Sequence, residues 1–279
     1  MRNVEAAHVL ALTPRRAARY VQVERRVALL YALKVVGIAI NTALVAPMVA
    51  VAAAIDGCRA YDLSRVWAMV NLAICGVQVD GTRRTRLDPT EPYVFMSNHA
   101  SHFDVLAVVA ALPEFQLRWV AKRELAAIPI FGWAMRRAGH VIIDRSNPEQ
   151  ALESLRAART IMDAGVSVMI FPEGTREGHD RQLLPLKKGG FLLALETGVP
   201  IVPIAVRCSR EVLPRDDWRI QSGTIEVIVG EPIPVEGRDR ATLVEQVEAF
   251  LRRELGVPAP ALEPARLRRP AVESAMELQ

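Results

Sequence analysis

Eight residues, Ser97-Asn98-His99-Ala100-Ser101-His102-Phe103-Asp104, gather two imidazoles, a carboxylate and two polar capping residues behind the apolar run Tyr93-Val94-Phe95-Met96. His99 and Asp104 are five positions apart, and at roughly 100° per residue a continuous helix would turn them about 140° away from each other. They meet only if His99 lies in a turn and Asp104 in the first turn of the helix that follows. In that geometry Asp104 accepts the imidazole Nδ1–H, fixes the tautomer and leaves Nε2 to take a proton from a hydroxyl. The octet has two other readings. Ser101-x-x-Asp104 is also a capping box, with His99 a hydrogen-bonded loop histidine. His99, His102 and Asp104 are all metal-ligand types, but their spacing departs from the His-x-His-x-Asp-His cluster of metallohydrolases, and His8, His140 and His179 are the only other histidines. No metal is expected.

The pair needs a strand-to-helix turn, and the sequence supplies one. Residues 93–96 read as a short buried strand and 103–112 as a helix whose start is signalled by Ser101. Further strands are predicted at 77–79, 117–121, 140–143, 166–171, 199–206 and 224–229. Helices are predicted at 61–75, closed by Gly76, at 124–138, interrupted near Pro129 and closed by Gly139, at 147–164, closed by Gly165, and at 190–197 and 241–255. The first of these shows Val66, Met69, Val70 and Ala73 near helical spacing, and the last shows Leu243, Val247, Phe250 and Leu251. Pro200 and Pro203 predict that 199–206 is an edge strand or carries bulges, whereas 224–229 alternates as a half-exposed strand does. Strands alternating with helices predict an α/β domain with a largely parallel sheet flanked by helices. Polar signatures recur where strands end, which is where such sheets place ligands.

Ahead of that domain lies a segment of different character. Residues 1–26 form a basic lead-in, and from 27 to 55 the only charge is Lys34. The uncharged run 35–55 has about the roughly 20 residues that a membrane-crossing helix needs. Gly37, Asn41, Thr42 and Pro47 lie inside it, so a bent hairpin dipping into one leaflet competes with a full crossing. Arginines flank it on both sides, and Ala52-Ala53-Ala54 resembles a signal cleavage site, although the lead-in and the apolar run are both long for a signal peptide. The expected organisation is lead-in 1–26, uncleaved membrane-associating helical segment 27–59, catalytic domain 60–255 and a poorly ordered Pro/Ala/Arg-rich tail 256–279. With 35 basic against 31 acidic residues, a net charge of +4 suits anionic lipids or substrates, and 5% aromatics offer no platform for stacking nucleic-acid bases. Cys58, Cys75 and Cys208 suggest no disulfide framework.

Four strand-end signatures occur in order: Asn98-His99-x-x-x-x-Asp104, Gly139-x-x-x-x-Asp144-Arg145, Phe171-Pro172-Glu173-Gly174-Thr175-Arg176 and Val199-Pro200-Ile201-Val202-Pro203, with Lys122 in an Ala-Lys-Arg-Glu-Leu segment. Over roughly residues 60–255 the chain resembles the glycerolipid acyltransferases, the family that includes 1-acylglycerol-3-phosphate acyltransferase. The resemblance implies that His99 is the general base on the acceptor hydroxyl and Asp104 its orienting partner. It implies that Arg176 and Lys122 hold the acceptor's phosphate, in a pocket shaped by Glu173, Gly174 and Thr175. A bidentate arginine and a point-charge lysine suit an anionic headgroup. Arg145 is a further substrate-binding candidate, although Asp144-Arg145 reads equally as an ion pair at a strand end. Residues 199–203 read as packing that lines an acyl pocket. The implied reaction is direct transfer from an acyl-CoA or acyl carrier protein thioester to a lysophospholipid hydroxyl, without cofactor or acyl-enzyme. The expected acceptor is 1-acylglycerol 3-phosphate, giving phosphatidic acid, at the cytosolic face of the cytoplasmic membrane. Its rivals are another lysolipid, such as lyso-ornithine lipid or lysophosphatidylcholine, and a non-catalytic membrane lipid-binding protein.

Overall fold

A computed structural model describes residues 14–143, 148–176 and 183–258. Two helices lead, α1 (Pro14–Ile55) and α2 (Gly57–Cys75). They are followed by β1 (Val77–Arg83), β2 (Val94–Ser97), α3 (Phe103–Ala111), β3 (Leu117–Lys122), α4 (Arg123–Ala126), α5 (Phe131–Arg137) and β4 (Val141–Ile143). The second half comprises α6 (Pro148–Asp163), β5 (Ser167–Ile170), α7 (Gly189–Thr197), β6 (Ile201–Arg207), α8 (Ser209–Val212), β7 (Gly223–Val229) and α9 (Arg240–Leu255).

The strands form one seven-stranded sheet in the order β1-β7-β6-β2-β5-β3-β4. Strands β6, β2, β5, β3 and β4 run parallel, β7 is antiparallel to β6, and β1 is parallel to β7. Side-chain alternation sends the two sheet faces into separate cores. Phe95, Met169, Val202, Ile204 and Val227 pack with Leu72 of α2, Phe103 and Leu106 of α3 and Leu112 just past its end. Val94, Met96, Val168, Ile170 and Ala205 pack with Met162, Phe191, Leu243 and Leu251 of α6, α7 and α9. The periodicity of α9 is realised residue for residue, with Leu243, Val247, Phe250 and Leu251 buried and Asp239 capping the helix by accepting the Thr242 N–H.

Strand order also positions the site. Because β2 lies between β5 and β6, and β3 lies beyond β5, the loops leaving all four strands emerge side by side. Contrary to the expectation of an edge strand, β6 is interior. A strand residue's N–H and C=O point to the same side, and the Pro203 carbonyl faces Gly230, accepting its N–H at 2.8 Å. The absent Pro203 N–H therefore also faces Gly230, beyond the β7 register that begins at Ile204, so proline removes at most the terminal bond of the ladder. Strand β7 is also less exposed than its alternation suggests: Ile225, Val227, Ile228 and Val229 are all buried.

The apolar N-terminal run is a continuous helix through Pro47. The residues that weaken it as a lipid-surrounded span form its seam with α2. A Cβ on Gly37 would lie 2.9 Å from Ile74 Cγ2, so glycine permits the close approach there. Asn41 Nδ2 donates to the Trp67 carbonyl (3.1 Å) and to Asn71 Oδ1 (2.9 Å), and Trp67 Nε1 donates to Thr42 Oγ1 (2.9 Å). The bend occurs between helices, where Asp56 caps α2 by accepting the Cys58 N–H. The buried face of α2 is Ala60, Tyr61, Ala68, Asn71, Leu72 and Cys75. Val66, Met69 and Val70, which helical spacing marks as its apolar face, are exposed. Spacing identifies an apolar stripe but not which of two stripes meets protein. The tail from 259 onward lies outside the described residues.

Candidate active site

Asp104 sits in the first turn of α3 and reaches back into the turn that leaves β2. Its Oδ2 accepts the N–H groups of Ala100 (2.7 Å) and Ser101 (2.8 Å) and lies 2.8 Å from His99 Nδ1. An oxygen already receiving two N–H groups acts as acceptor, so Nδ1 brings the third proton and Nε2 carries the lone pair. Ser101 Oγ in turn accepts the Phe103 N–H (3.2 Å). The carboxylate half of the expected capping box and the His-Asp pair are thus made through a single oxygen, with His102 and not Ser101 at the helix N-cap and with Asp104 0% and His99 17% exposed.

The neighbouring strand β5 delivers Phe171, whose ring stacks on the His99 imidazole at 3.9 Å and 9°. Two residues on, Glu173 Oε1 accepts the His99 backbone N–H (2.7 Å) and Oε2 accepts that of Leu184 (3.0 Å). Burial raises the Glu173 pKa to about 7, against the two N–H bonds and with a smaller push from Asp104. On the other side, Asn98 clasps β6 by donating to the Val206 carbonyl (2.9 Å) and accepting its N–H (2.8 Å). Gly174 turns the chain at φ 72°, in the left-handed region that glycine enters without cost.

His99 opens on a cavity of about 490 Å³. Its walls are mostly apolar and come from Thr42, Val45, Ala46 and Val49 of α1, Val105 and Val109 of α3, and Phe131, Ala134 and Met135 of α5. Lys122, Gly174, Thr175 and Arg176 line it with His99, whereas Asp104 and Glu173 stand behind, holding the histidine ring and backbone. Arg145 and Asp144 lie outside the described residues. Residues 199–203 belong to the sheet core and do not line the cavity.

Three contributions were not visible in the motifs. The α1 wall comes from a segment that reads only as membrane-associating. His140 lines the cavity with a neutral ring: its Nδ1 accepts the Trp119 N–H (3.2 Å), and burial depresses its pKa to about 3, with Arg118 adding to the effect. Arg215 joins the lining from the loop after α8. Among the described residues, no group of three or more His, Cys, Asp or Glu side chains is arranged to hold a metal.

The family described as Acyltransferase matches residues 77–207, a stretch containing all four ordered blocks. The 1-acyl-sn-glycerol-3-phosphate acyltransferase alpha of Homo sapiens is 37% identical over 163 residues, 58% of this chain and 57% of its own length. The 1-acyl-sn-glycerol-3-phosphate acyltransferase of Pseudomonas aeruginosa is 34% identical over 176 residues, 62% of this chain and 67% of its own length. Against the first mammalian and plant relatives the chain spans only about half of their length. The fold is shared with the crystal structure of the 1-acyl-sn-glycerophosphate (LPA) acyltransferase, PlsC, from Thermotoga maritima. That match has a TM-score of 0.69 at 22% identity and covers 84% of this chain and 96% of that one. With one third of residues shared across two thirds of a bacterial relative, and the family's blocks meeting at one cavity, the chain belongs to the glycerolipid acyltransferase family.

Proposed function

We propose that the protein moves a fatty acyl group from a thioester donor to the free hydroxyl of a lysophospholipid, with 1-acylglycerol 3-phosphate as acceptor and phosphatidic acid as product. The observation that carries this reading is the His99–Asp104 pair opening on an apolar cavity that Lys122 and Arg176 also line. His99 Nε2 takes the hydroxyl proton as the oxygen attacks the thioester carbonyl. The tetrahedral intermediate collapses with loss of the carbon–sulfur bond, and the thiolate receives the proton from the imidazolium. Ser101, the hydroxyl inside the turn, is engaged: its Oγ donates to the Leu213 carbonyl (2.8 Å) and accepts from Phe103. The reading is therefore direct transfer without an acyl-enzyme. The apolar cavity takes the acyl chain, and Lys122 and Arg176 take the phosphate.

Membrane placement follows from α1 and α2. The stretch Glu24–Ile55 is long and apolar enough to cross a membrane, and 22% of its most apolar window is buried, too little for the core helix of a soluble protein. Leu29, Leu33, Ile40, Leu44, Met48 and Ile55 are exposed along α1, and Val66 and Met69 along α2. An unpartnered apolar surface along a helix of this length supports a membrane contact. Because the opposite face of α1 packs on the domain, the two helices are read as lying at the membrane surface beside the site, and a cytosolic thioester donor would place that surface on the cytosolic side of the cytoplasmic membrane.

The test is acylation by the purified protein of a lysolipid panel (1-acylglycerol 3-phosphate, lysophosphatidylcholine, lyso-ornithine lipid) with acyl-CoA and with acyl carrier protein as donors. Phosphatidic acid is the expected principal product. Failure to acylate any acceptor with either donor contradicts the reading and favours a non-catalytic lipid-binding protein.

A further inference from the structure

Arg215 belongs to none of the sequence blocks, yet two tethers hold its loop against the catalytic turn. From one side, Ser101 Oγ donates to the Leu213 carbonyl at 2.8 Å, while the Ser101 N–H binds the carboxylate that holds His99. From the other side, α1 grips the loop's far end. Lys34 Nζ donates to the Ile220 carbonyl and to Ser222 Oγ, both at 2.9 Å, Gln221 Nε2 donates to the Tyr31 hydroxyl at 2.7 Å, and Tyr31 meets Trp218 edge-on at 6.0 Å. The loop is thereby fixed so that Arg215 lines the same cavity as His99, Lys122 and Arg176.

Arg176 shows what the position lacks. Its Nη1 is buried and has no hydrogen-bond partner among the described residues. Burial lowers its pKa, and the next largest cause is the charge of Arg215. Arg215 also meets Asp216 at 3.8 Å, whose side chain is 91% exposed, so that particular ion pair contributes little. Burying the Arg176 guanidinium beside Arg215 carries an electrostatic cost, offset in part by Asp104 and Asp216, that an anion bound between the two would relieve further.

We propose that Arg215 is the second guanidinium of the acceptor's phosphate site, which makes the site selective for a phosphomonoester over a phosphodiester headgroup. The inference rests on the acceptor reading given above. A monoester carries about −1.5 to −2 charges at neutral pH and offers three acceptor oxygens, enough for two forked guanidiniums, whereas a diester carries a single charge. The same chemistry could instead serve bulk anionic lipid, and the test separates these sources.

Affinity for 1-acylglycerol 3-phosphate and for its phosphoglycerol diester analogue would be measured without donor by calorimetry in detergent micelles, for the wild type, Arg215→Ala, Arg215→Lys and Arg176→Ala. KM and kcat would follow with donor present, melting temperature would establish folding, and co-sedimentation with phosphatidylglycerol-containing vesicles would report bulk lipid binding. Loss of one charge-assisted contact predicts that Arg215→Ala raises Kd and KM for the monoester by about tenfold or more, with kcat within a few-fold. The diester should be affected less, lysine should restore part of the affinity, and vesicle binding should be unchanged. Unchanged monoester affinity, an equal loss for monoester and diester, or a loss confined to vesicles overturns the inference while leaving the acyltransferase reading standing. Arg215-dependent monoester binding by a wild-type protein that never turns over leaves the inference standing and removes the acyltransferase reading. Absence of monoester binding by the wild type removes both.

Discussion

At the scale of single residues, Glu173 is the carboxyl at the site whose chemistry its surroundings alter. It is 4% exposed and bridges the backbones of His99 and Leu184. With a folded pKa near 7 against an ordinary 4.5, the folded state keeps a proton that the unfolded chain releases. The resulting stability is fully present below about pH 4.5 and is lost as pH rises through 7, a change of up to about 3 kcal/mol. Glu173→Gln removes the titration, so the melting-temperature advantage of wild type over this variant should shrink by several degrees between pH 5 and pH 8.5. A constant difference across that range contradicts the assignment. The core of the site was legible in the sequence because it is local: His99, Ala100, Ser101 and Asp104 meet within one turn, and their spacing allowed the pair to meet only by the fold-back that is found. Arg215 was not legible, because its loop is held at the cavity by contacts from Ser101 and from α1 that join positions far apart in the chain.

At the scale of elements, the alternation of strand and helix could be read from residue patterns, but the neighbour relations of the strands could not. Pro203 illustrates why: its cost depends on which side of β6 its missing donor faces, and that depends on where β7 ends. The role of α1 was likewise half visible. Its apolarity announced a membrane segment, whereas its packing on α2 and α5, with Ala46, Ala50, Ala134 and Ala138 buried together, makes it a wall of the cavity. Deleting residues 27–55 would therefore unroof the site as well as release the protein. A cleaner test replaces the exposed Leu29, Leu33, Ile40 and Leu44 by serine. The folded variant should move from the vesicle-bound to the soluble fraction, at about 1.5–3 kcal/mol per fully buried side chain lost to lipid, and undiminished sedimentation with vesicles would contradict the placement. Val45→Phe should instead act inside the cavity. Long-chain donors should lose about tenfold or more in kcat/KM relative to short-chain ones, and an unchanged chain-length profile would show that the acyl chain lies elsewhere.

At the scale of the whole molecule, the parts form one path. On the proposed reading the exposed stripes of α1 and α2 meet lipid, their inner faces bound the cavity, and the ends of β2, β3 and β5 set His99, Lys122 and Arg176 on it. A lysolipid can then present its headgroup to the cations while its chain stays among apolar side chains, and the hydroxyl to be acylated comes to the imidazole. That account stands or falls on His99 acting in the transition state and not merely shaping a turn. The decisive measurement is kcat for acyl transfer to 1-acylglycerol 3-phosphate by His99→Ala, on protein shown by circular dichroism and melting temperature to be folded. The account predicts a fall of roughly 10²- to 10⁴-fold with KM for the acceptor little changed, and a folded His99→Ala protein that keeps wild-type kcat would contradict it.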